Sequence, residues 1–239
     1  MGFGAAALVR RTAPMLLVAD ITGAEDALAA VKETADAALV TVSHTIGLEE
    51  QLPRLVRALG AVPFGVWLEA LPESEIDNLA KLGCDFVVFG SAGTSTAIFR
   101  NENMGKMLAV DPAMPDSMAS AINALEVDAV AIKAPHEETG LSVQRLLIYH
   151  RFSGLTSKPI MVPSPKELAN RDLEDLLDAG VYALLVGVEG VGKPGLQQVR
   201  EAIRRLPAAP RRRPGRVRAI VPRPPVSAET PAEEEGEEE

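Results

Sequence analysis

The stretch Val127-Asp-Ala-Val-Ala-Ile-Lys-Ala-Pro-His136 is a short apolar run that ends in a lysine and a histidine. In a β-strand, successive side chains point to opposite faces. Alternation therefore places Ala129, Ala131 and Lys133 on one face and the larger aliphatic residues on the other. The sequence predicts a strand whose last residue, Lys133, points to the side with the most room.

Similar apolar runs recur along the chain and alternate with amphipathic segments that have apolar residues at three- and four-residue spacing. The predicted strands are residues 14–20, 37–43, 63–69, 85–91, 106–111, 128–133, 159–164 and 182–189. The predicted helices are residues 24–34, 48–59, 73–82, 116–125, 141–152, 165–179 and 195–206. Eight strands alternating with helices over about 200 residues is typical of a closed (β/α)8 barrel. We predict one such barrel over residues 1–206, with a doubly wound open sheet as the alternative.

A weak internal repeat favours closure of the sheet. Strands one, three and seven are entered through a proline, and strands two, four and six through an aspartate. These residues are Pro14, Pro63 and Pro159, and Asp36, Asp85 and Asp128. Strand five, which begins at Lys106, and strand eight, which has Tyr182 in place of the aspartate, depart from the repeat. The aspartates mark the bottom of a barrel, where polar residues serve turns and helix ends.

This pattern resembles that of the aldolase-type barrels, in which a Gly-Ala-Asp-Ala-Val turn commonly leads into the even strands. The resemblance extends over the whole predicted barrel. It implies the fold and transfers no function.

Composition limits the classes of protein that this chain can be. Of its 239 residues, 47% are hydrophobic but only 4% aromatic, so the core must consist mainly of Ala, Val, Leu and Ile. A single cysteine, Cys84, excludes an internal disulfide and a cysteine-based zinc cluster, and fits the reducing cytoplasm. No apolar run reaches the roughly 18 residues of a membrane span. The formal charge of −9 makes nucleic acid a poor partner.

Residues 207–239 differ in composition from the rest of the chain. They are rich first in Pro and Arg and then in Glu, and they contain few apolar residues. Such a segment cannot offset the entropy lost on ordering, so we predict a disordered tail. The tail is either a solubilising appendage or a docking segment for a protein partner.

The candidate functional residues are those at the carboxyl ends of the predicted strands, where barrels of this kind carry their chemistry. Alternation directs Glu69, Asp111, Lys133 and Glu189 towards one central space. A metal site is not expected, because His44 and His136 show neither His-x-His nor Glu-x-x-His spacing.

Lys133 has two interpretations. In the first it forms an ion pair with Glu69 or Asp111 and closes the top of the core. In the second it is a Schiff-base nucleophile, with one of these carboxylates shuttling protons. A lysine on strand six is also where class I aldolases of this fold keep theirs, so Lys133 resembles that arrangement in position.

Two glycine-rich loops are candidate anion sites. Residues 90–96 contain Ser91, Gly93 and Thr94 and lead towards a helix, although the same residues suit an ordinary N-cap. Residues 187–195 contain Gly190, Gly192 and Lys193 and occupy the corner, with Ser164 at the end of strand seven, where barrels bind phosphate groups or flavin mononucleotide. Against this site, strand seven lacks the glycine pair that such sites usually have, and Glu189 would repel a phosphate.

Three functions remain open. The first is an aldolase- or lyase-type enzyme that needs no cofactor and acts on a small anionic carbonyl compound. The second is a barrel that binds flavin mononucleotide or a phosphorylated metabolite. The third is a barrel without catalysis that recruits a partner through its tail. Homo-oligomer formation is compatible with each.

Overall fold

The computed structural model describes residues 14–24, 27–43, 48–133 and 139–207. Its parallel strands pair in the order β1 to β8, and β8 pairs with β1, so that the sheet closes into a barrel. The strands are β1 Leu16–Asp20, β2 Ala37–Thr41, β3 Phe64–Leu68, β4 Phe86–Gly90, β5 Gly105–Val110, β6 Ala129–Ile132, β7 Ile160–Pro163 and β8 Val181–Gly187. The predicted barrel is confirmed, and the open-sheet alternative is wrong.

Helices follow the strands and cover the outside of the barrel. They are α1 Leu28–Thr34, α2 Leu48–Leu59, α3 Glu73–Lys81, α4 Asp116–Ala121, α5 Val143–Leu155, α6 Asn170–Asp178 and α7 Val188–Arg204. The connection after β4 is a short 3-10 helix, Thr96–Arg100, and α4 continues into another, Ile122–Ala124. The predicted start of α6 at residue 165 is wrong. The helix begins five residues later, where the Asp172 carboxylate accepts the Ala169 N–H at 2.9 Å and caps the first turn.

Two separate hydrophobic cores follow from the alternation of side chains along the strands. The larger core lies between the strands and the helices. The smaller core fills the barrel and consists of Val18, Leu39, Phe86, Val88, Ala109, Ala131, Met161, Ala183 and Leu185, with Leu16, Ala37, Trp67, Met107 and Tyr182 at its edges. The inner core therefore confirms which residues of strands three, five, six and eight were predicted to point into the barrel.

The aspartates that precede the even strands each hold the preceding odd strand by two bonds. The aspartate N–H donates to the carbonyl of one residue, and the aspartate carboxylate accepts the N–H of that same residue. The pairs are Asp36 with Leu17 (2.8 and 2.8 Å), Asp85 with Phe64 (2.8 and 2.8 Å) and Asp128 with Lys106 (2.7 and 2.7 Å). We call these arrangements the aspartate brackets. They confirm a structural role at the bottom of the barrel.

The fourth pair of strands has no such bracket. Tyr182 stands where the repeat predicts an aspartate. The register between β7 and β8 shifts at this point, since Ile160 pairs with Val181 while Met161 pairs with Ala183. A bulge therefore replaces the bracket and leaves Tyr182 as the extra residue.

One bracket is also joined to the last helix. Arg200 of α7 donates from Nη1 and Nη2 to the two carboxylate oxygens of Asp36, at 2.7 and 2.8 Å. The side chains are 18% and 25% exposed, respectively. Because Asp36 precedes β2 and Arg200 lies near the end of the described chain, this fork-to-fork ion pair fastens the last helix to the first strands.

Cys84 provides a prediction about reactivity. Burial, together with the charge of the neighbouring Asp85, raises the pKa of the Cys84 thiol to about 12. Because the thiolate is the reactive species, we expect iodoacetamide at pH 8 to label Cys84 only when the protein unfolds. Above pH 9 the unfolded chain loses this proton while the folded chain keeps it, so stability should fall as the pH rises from about 9 to 12. Labelling measured along a urea titration tests the expected protection of Cys84. Rapid labelling without urea would contradict the burial.

None of the helices in the described part of the chain is both long and apolar enough to cross a membrane. The tail beyond residue 207 lies outside the described residues.

Candidate active site

Lys133 and Glu69 meet at the mouth of the barrel. Lys133 follows the last residue of β6, and its N–H donates to Val110 O at 3.0 Å, which continues the pairing with β5. Glu69 follows the last residue of β3, and its Oε2 accepts a hydrogen bond from Lys133 Nζ. The side chains of Lys133 and Glu69 are 34% and 65% exposed, so the ion pair is accessible to solvent.

Within the described part of the chain, the side chains level with Lys133 are small. In an eight-stranded barrel, successive layers of inward side chains come from alternate strands. The strand registers place Lys133 level with Thr41, Gly90 and Gly187 on the other even strands. These residues have short side chains or none, and Thr41 and Gly187 are exposed. Among the described residues, the layer that contains the amine therefore has no bulky side chain beside it.

Asp111 is engaged in a turn. Its carboxylate accepts the Ala113 N–H at 2.7 Å, and its carbonyl accepts the Met114 N–H at 3.0 Å. Among the described residues, the ion pair of Lys133 is with Glu69 and not with Asp111. Of the two carboxylates that the sequence left open, Glu69 is the one in contact with the amine.

The loop after β4, residues 91–95, is bonded to the end of β4 and to the segment that follows β3. Thr94 Oγ1 donates to Gly90 O at 2.7 Å and accepts the Leu71 N–H at 3.1 Å. Ser95 is the N-cap of the short 3-10 helix and accepts the Ala97 N–H at 3.2 Å. The N-cap interpretation of this stretch therefore applies to Ser95. The hydroxyl proton of Thr94 is already used, and Ser91 is exposed.

The corner after β8 differs from the sequence prediction. Strand β8 ends at Gly187, and Glu189 lies in the first turn of α7 instead of at a strand end. The helix is broken at Gly192, whose φ of 62° and ψ of −176° are accessible to glycine. A short helical turn therefore precedes the long helix that contains Lys193. The Glu189 carboxylate approaches the loop after β1, because a Cβ on Gly23 would be 3.4 Å from its Oε2.

The same corner contains a glycine spacing that the sequence analysis above did not use. Gly190, Gly192 and Gly195 have the spacing Gly-x-Gly-x-x-Gly in the first turns of α7, directly after β8. This spacing is typical of turns whose backbone approaches phosphate groups closely. A Cβ on Gly195 would lie 2.7 Å from Val191 Cβ, so the third glycine lets the helical turn pack on the long helix.

Two further side chains lie at the end of β7. Ser164 donates its N–H to Leu185 O at 2.7 Å and its hydroxyl to Pro165 O at 3.0 Å. Arg145 of α5 is only 3% exposed, and its Nη2 lies 3.5 Å from Pro163 O. Sequence analysis missed this buried charge. The signal available in the sequence was its four-residue spacing from the buried Tyr149, which places both residues on one face of the helix.

Asp20, the last residue of β1, lies in a hydrogen-bond network of its own. Asp20 accepts the Thr22 N–H at 3.0 Å and the Thr22 hydroxyl at 2.5 Å, and Thr22 Oγ1 in turn accepts the Thr41 N–H at 2.8 Å. This network ties the loop after β1 to β2. His44 and His136 lie outside the described residues.

Comparison with known proteins establishes the fold of this chain. No protein-family model and no curated protein matches it. Solved structures that resemble it include a mutant tryptophan synthase alpha-subunit from Pyrococcus furiosus, with a TM-score of 0.61 and 12% identity over 79% of this chain and 96% of that one. Another alpha-subunit structure from this hyperthermophile has a TM-score of 0.60 and 14% identity over 80% and 96%. The likeness shows that the chain has the (β/α)8 barrel fold of these enzymes.

Proposed function

We propose that this barrel is an aldolase-type lyase that acts on a small anionic carbonyl compound through a Schiff base on Lys133. The accessible contact between Lys133 and Glu69 is the observation that carries the proposal. A structural ion pair needs no open space around the amine. A nucleophilic lysine requires such space, together with a group that exchanges protons with it.

The first half of the reaction uses both residues of the pair. Glu69 takes a proton from Lys133, and the free amine attacks the carbonyl carbon to form a carbinolamine. Protonation of the carbinolamine oxygen and loss of water give a protonated imine. When the bond between the α and β carbons of the imine then breaks, its electron pair forms the C=C bond of an enamine, and the positive nitrogen takes up the electron pair of the C=N bond.

The second half restores the enzyme. The departing fragment leaves as an aldehyde after its hydroxyl proton passes to Glu69. Glu69 returns a proton to the enamine carbon that remains on the lysine. Water then hydrolyses the imine, which releases the second product and the amine. No oxidant or reductant is consumed.

The substrate's anionic group is assigned to the corner after β8, with Gly190, Gly192, Lys193 and Ser164 as its candidate contacts. The break at Gly192 supports this assignment, because a short extra helix after strand eight is a common anion site in barrels of this fold. In the loop after β4, Ser91 and the backbone of Gly93 remain candidates. The hydroxyl proton of Thr94 is donated within the protein.

Borohydride trapping tests the lyase proposal. We expect one or more compounds from a panel of small aldehydes and keto acids to form a reduced adduct on Lys133, detected by peptide mass spectrometry. The variant Lys133→Met should lose the adduct. Lys106 serves as the matched control, since its Nζ bonds to Asn101 O at 2.9 Å at the bottom of the barrel, and Lys106→Met should retain the adduct on Lys133. A panel without any adduct on Lys133 would remove the proposal.

A barrel that binds flavin mononucleotide or a phosphorylated metabolite is the second candidate. The Gly-x-Gly-x-x-Gly spacing and the broken helix favour it. Binding should raise the melting temperature of the full chain and should be weakened by Lys193→Gln. Unchanged melting with flavin mononucleotide and with sugar phosphates would exclude this candidate. The third candidate, recruitment of a partner through the predicted tail of residues 207–239, depends on residues 208–239, which lie outside the described residues, and is tested by deleting the tail.

A further inference from the structure

The loop after β4 contacts the three residues that follow β3 one after another. Gly90 lies against Glu69, a Cβ on Gly93 would be 3.0 Å from Ala70 Cβ, and Thr94 is bonded to Leu71. We propose that this loop positions the Glu69 carboxylate on Lys133, with Gly90 and Thr94 as the positioning residues. The consequence of this positioning for catalysis rests on the function proposed above.

Gly90 provides the room that the carboxylate needs. Leu68 pairs with Phe89, so Glu69 and Gly90 are the next neighbours along β3 and β4. A Cβ on Gly90 would overlap the backbone carbonyl oxygen of Glu69 and would lie 3.4 Å from its Oε2. This Oε2 is the atom that contacts Lys133 Nζ. Any side chain at position 90 would therefore displace the backbone of Glu69 and crowd the carboxylate.

Thr94 fixes the distance between the two chain segments. Its hydroxyl donates to Gly90 O at 2.7 Å and accepts the Leu71 N–H at 3.1 Å, so one side chain bridges both strands just beyond their ends. The Ser95 N–H adds a bond to Leu71 O at 2.9 Å. Glu69 thus lies on a segment that is fastened two residues further along the chain. Because a hydroxyl has a single proton to donate, Thr94 acts on Glu69 through the backbone and not as a donor to a ligand.

The reactivity of the Lys133 amine measures this positioning without any substrate. Trinitrobenzenesulfonate arylates accessible amines, and peptide mass spectrometry gives the rate at Lys133 alone. An exposed ion pair of ordinary strength slows such a reaction about two- to fivefold, so Glu69→Gln should speed arylation by that factor. Thr94→Val removes both hydrogen bonds at nearly constant volume and should speed arylation to a similar extent. Gly90→Ala should act in the same direction.

Matched variants separate positioning from a general loss of structure. Thr94→Ser keeps the hydroxyl and should restore the wild-type rate, and Thr96→Val, an exposed threonine two residues away, should leave it unchanged. In the Glu69→Gln background, Thr94→Val should not speed arylation further, because the effects of residues that act through one group do not add. An unchanged rate in Thr94→Val, or an equal acceleration in the Glu69→Gln background, would overturn the proposal. Absence of a borohydride adduct would instead remove the lyase function and leave the positioning intact.

Discussion

Replacing Asp36 by alanine is expected to destabilise the barrel by about 3 kcal/mol, because the change removes the carboxylate bond of one bracket and leaves a guanidinium without its carboxylate. Asp36 accepts the Leu17 N–H at 2.8 Å and both terminal nitrogens of Arg200. Arg200 is only 18% exposed, so water compensates little for the lost partner. Urea denaturation, followed through the free energy of unfolding, measures the effect.

Asp85 is the matched control for Asp36. It makes the same pair of bonds to Phe64, and no salt bridge from it is present among the described residues. Asp85→Ala should therefore cost only about 1 kcal/mol, the usual contribution of one hydrogen bond. The double variant Asp36→Ala with Arg200→Met should cost less than the sum of the two single changes. Equal losses for Asp36→Ala and Asp85→Ala would show that the ion pair contributes nothing.

Replacing Gly65 by alanine is expected to cost about 3 kcal/mol through overpacking inside the barrel. Gly65 lies on the inward face of β3, and an added Cβ would overlap the ring of Phe86, with Cδ2 and Cζ at 2.5 Å. Phe86 is 4% exposed and packed within the inner core, so its ring cannot move aside without displacing other strands. The midpoint of urea denaturation should fall accordingly.

A second change at Phe86 tests the cause. In the Gly65→Ala background, Phe86→Leu should recover part of the lost stability, since the smaller side chain admits the methyl group. Gly154→Ala in α5 is the control, because no atom beyond its chain neighbours and the nearby backbone of α5 lies within 4 Å of the added methyl group. That change should stabilise the protein by about 0.5–1 kcal/mol through helix propensity. A neutral Gly65→Ala would contradict close packing in the barrel.

The strands were predictable from sequence because buried parallel strands are nearly continuous apolar runs. The end of every strand lies within two residues of its predicted position. The start of α7 was not predictable in this way. Val188 continues the apolar run of β8, and only the backbone shows that the chain turns into a helix there.

The candidate site was predictable only in part. Position at the end of a strand, and the alternation of side chains, were sufficient to place Lys133, Glu69 and Asp111 at one mouth. The choice between the two carboxylates depends on contacts between distant strands. Asp111 closes its own turn, and Glu69 reaches across to the amine. The role of Thr94 also depends on a contact 23 residues away, with Leu71, which no local pattern reveals.

The aspartate brackets have a consequence at the opposite end of the molecule. A bracket joins one aspartate to one defined residue of the preceding strand, so a slip of a single position would break both bonds. The shear of a closed barrel is the sum of the offsets between its neighbouring strands, and the shear sets the tilt of every strand and the radius of the barrel. By fixing three of these offsets, the carboxylates at the base help to determine how far apart the lysine and the glutamate stand at the rim.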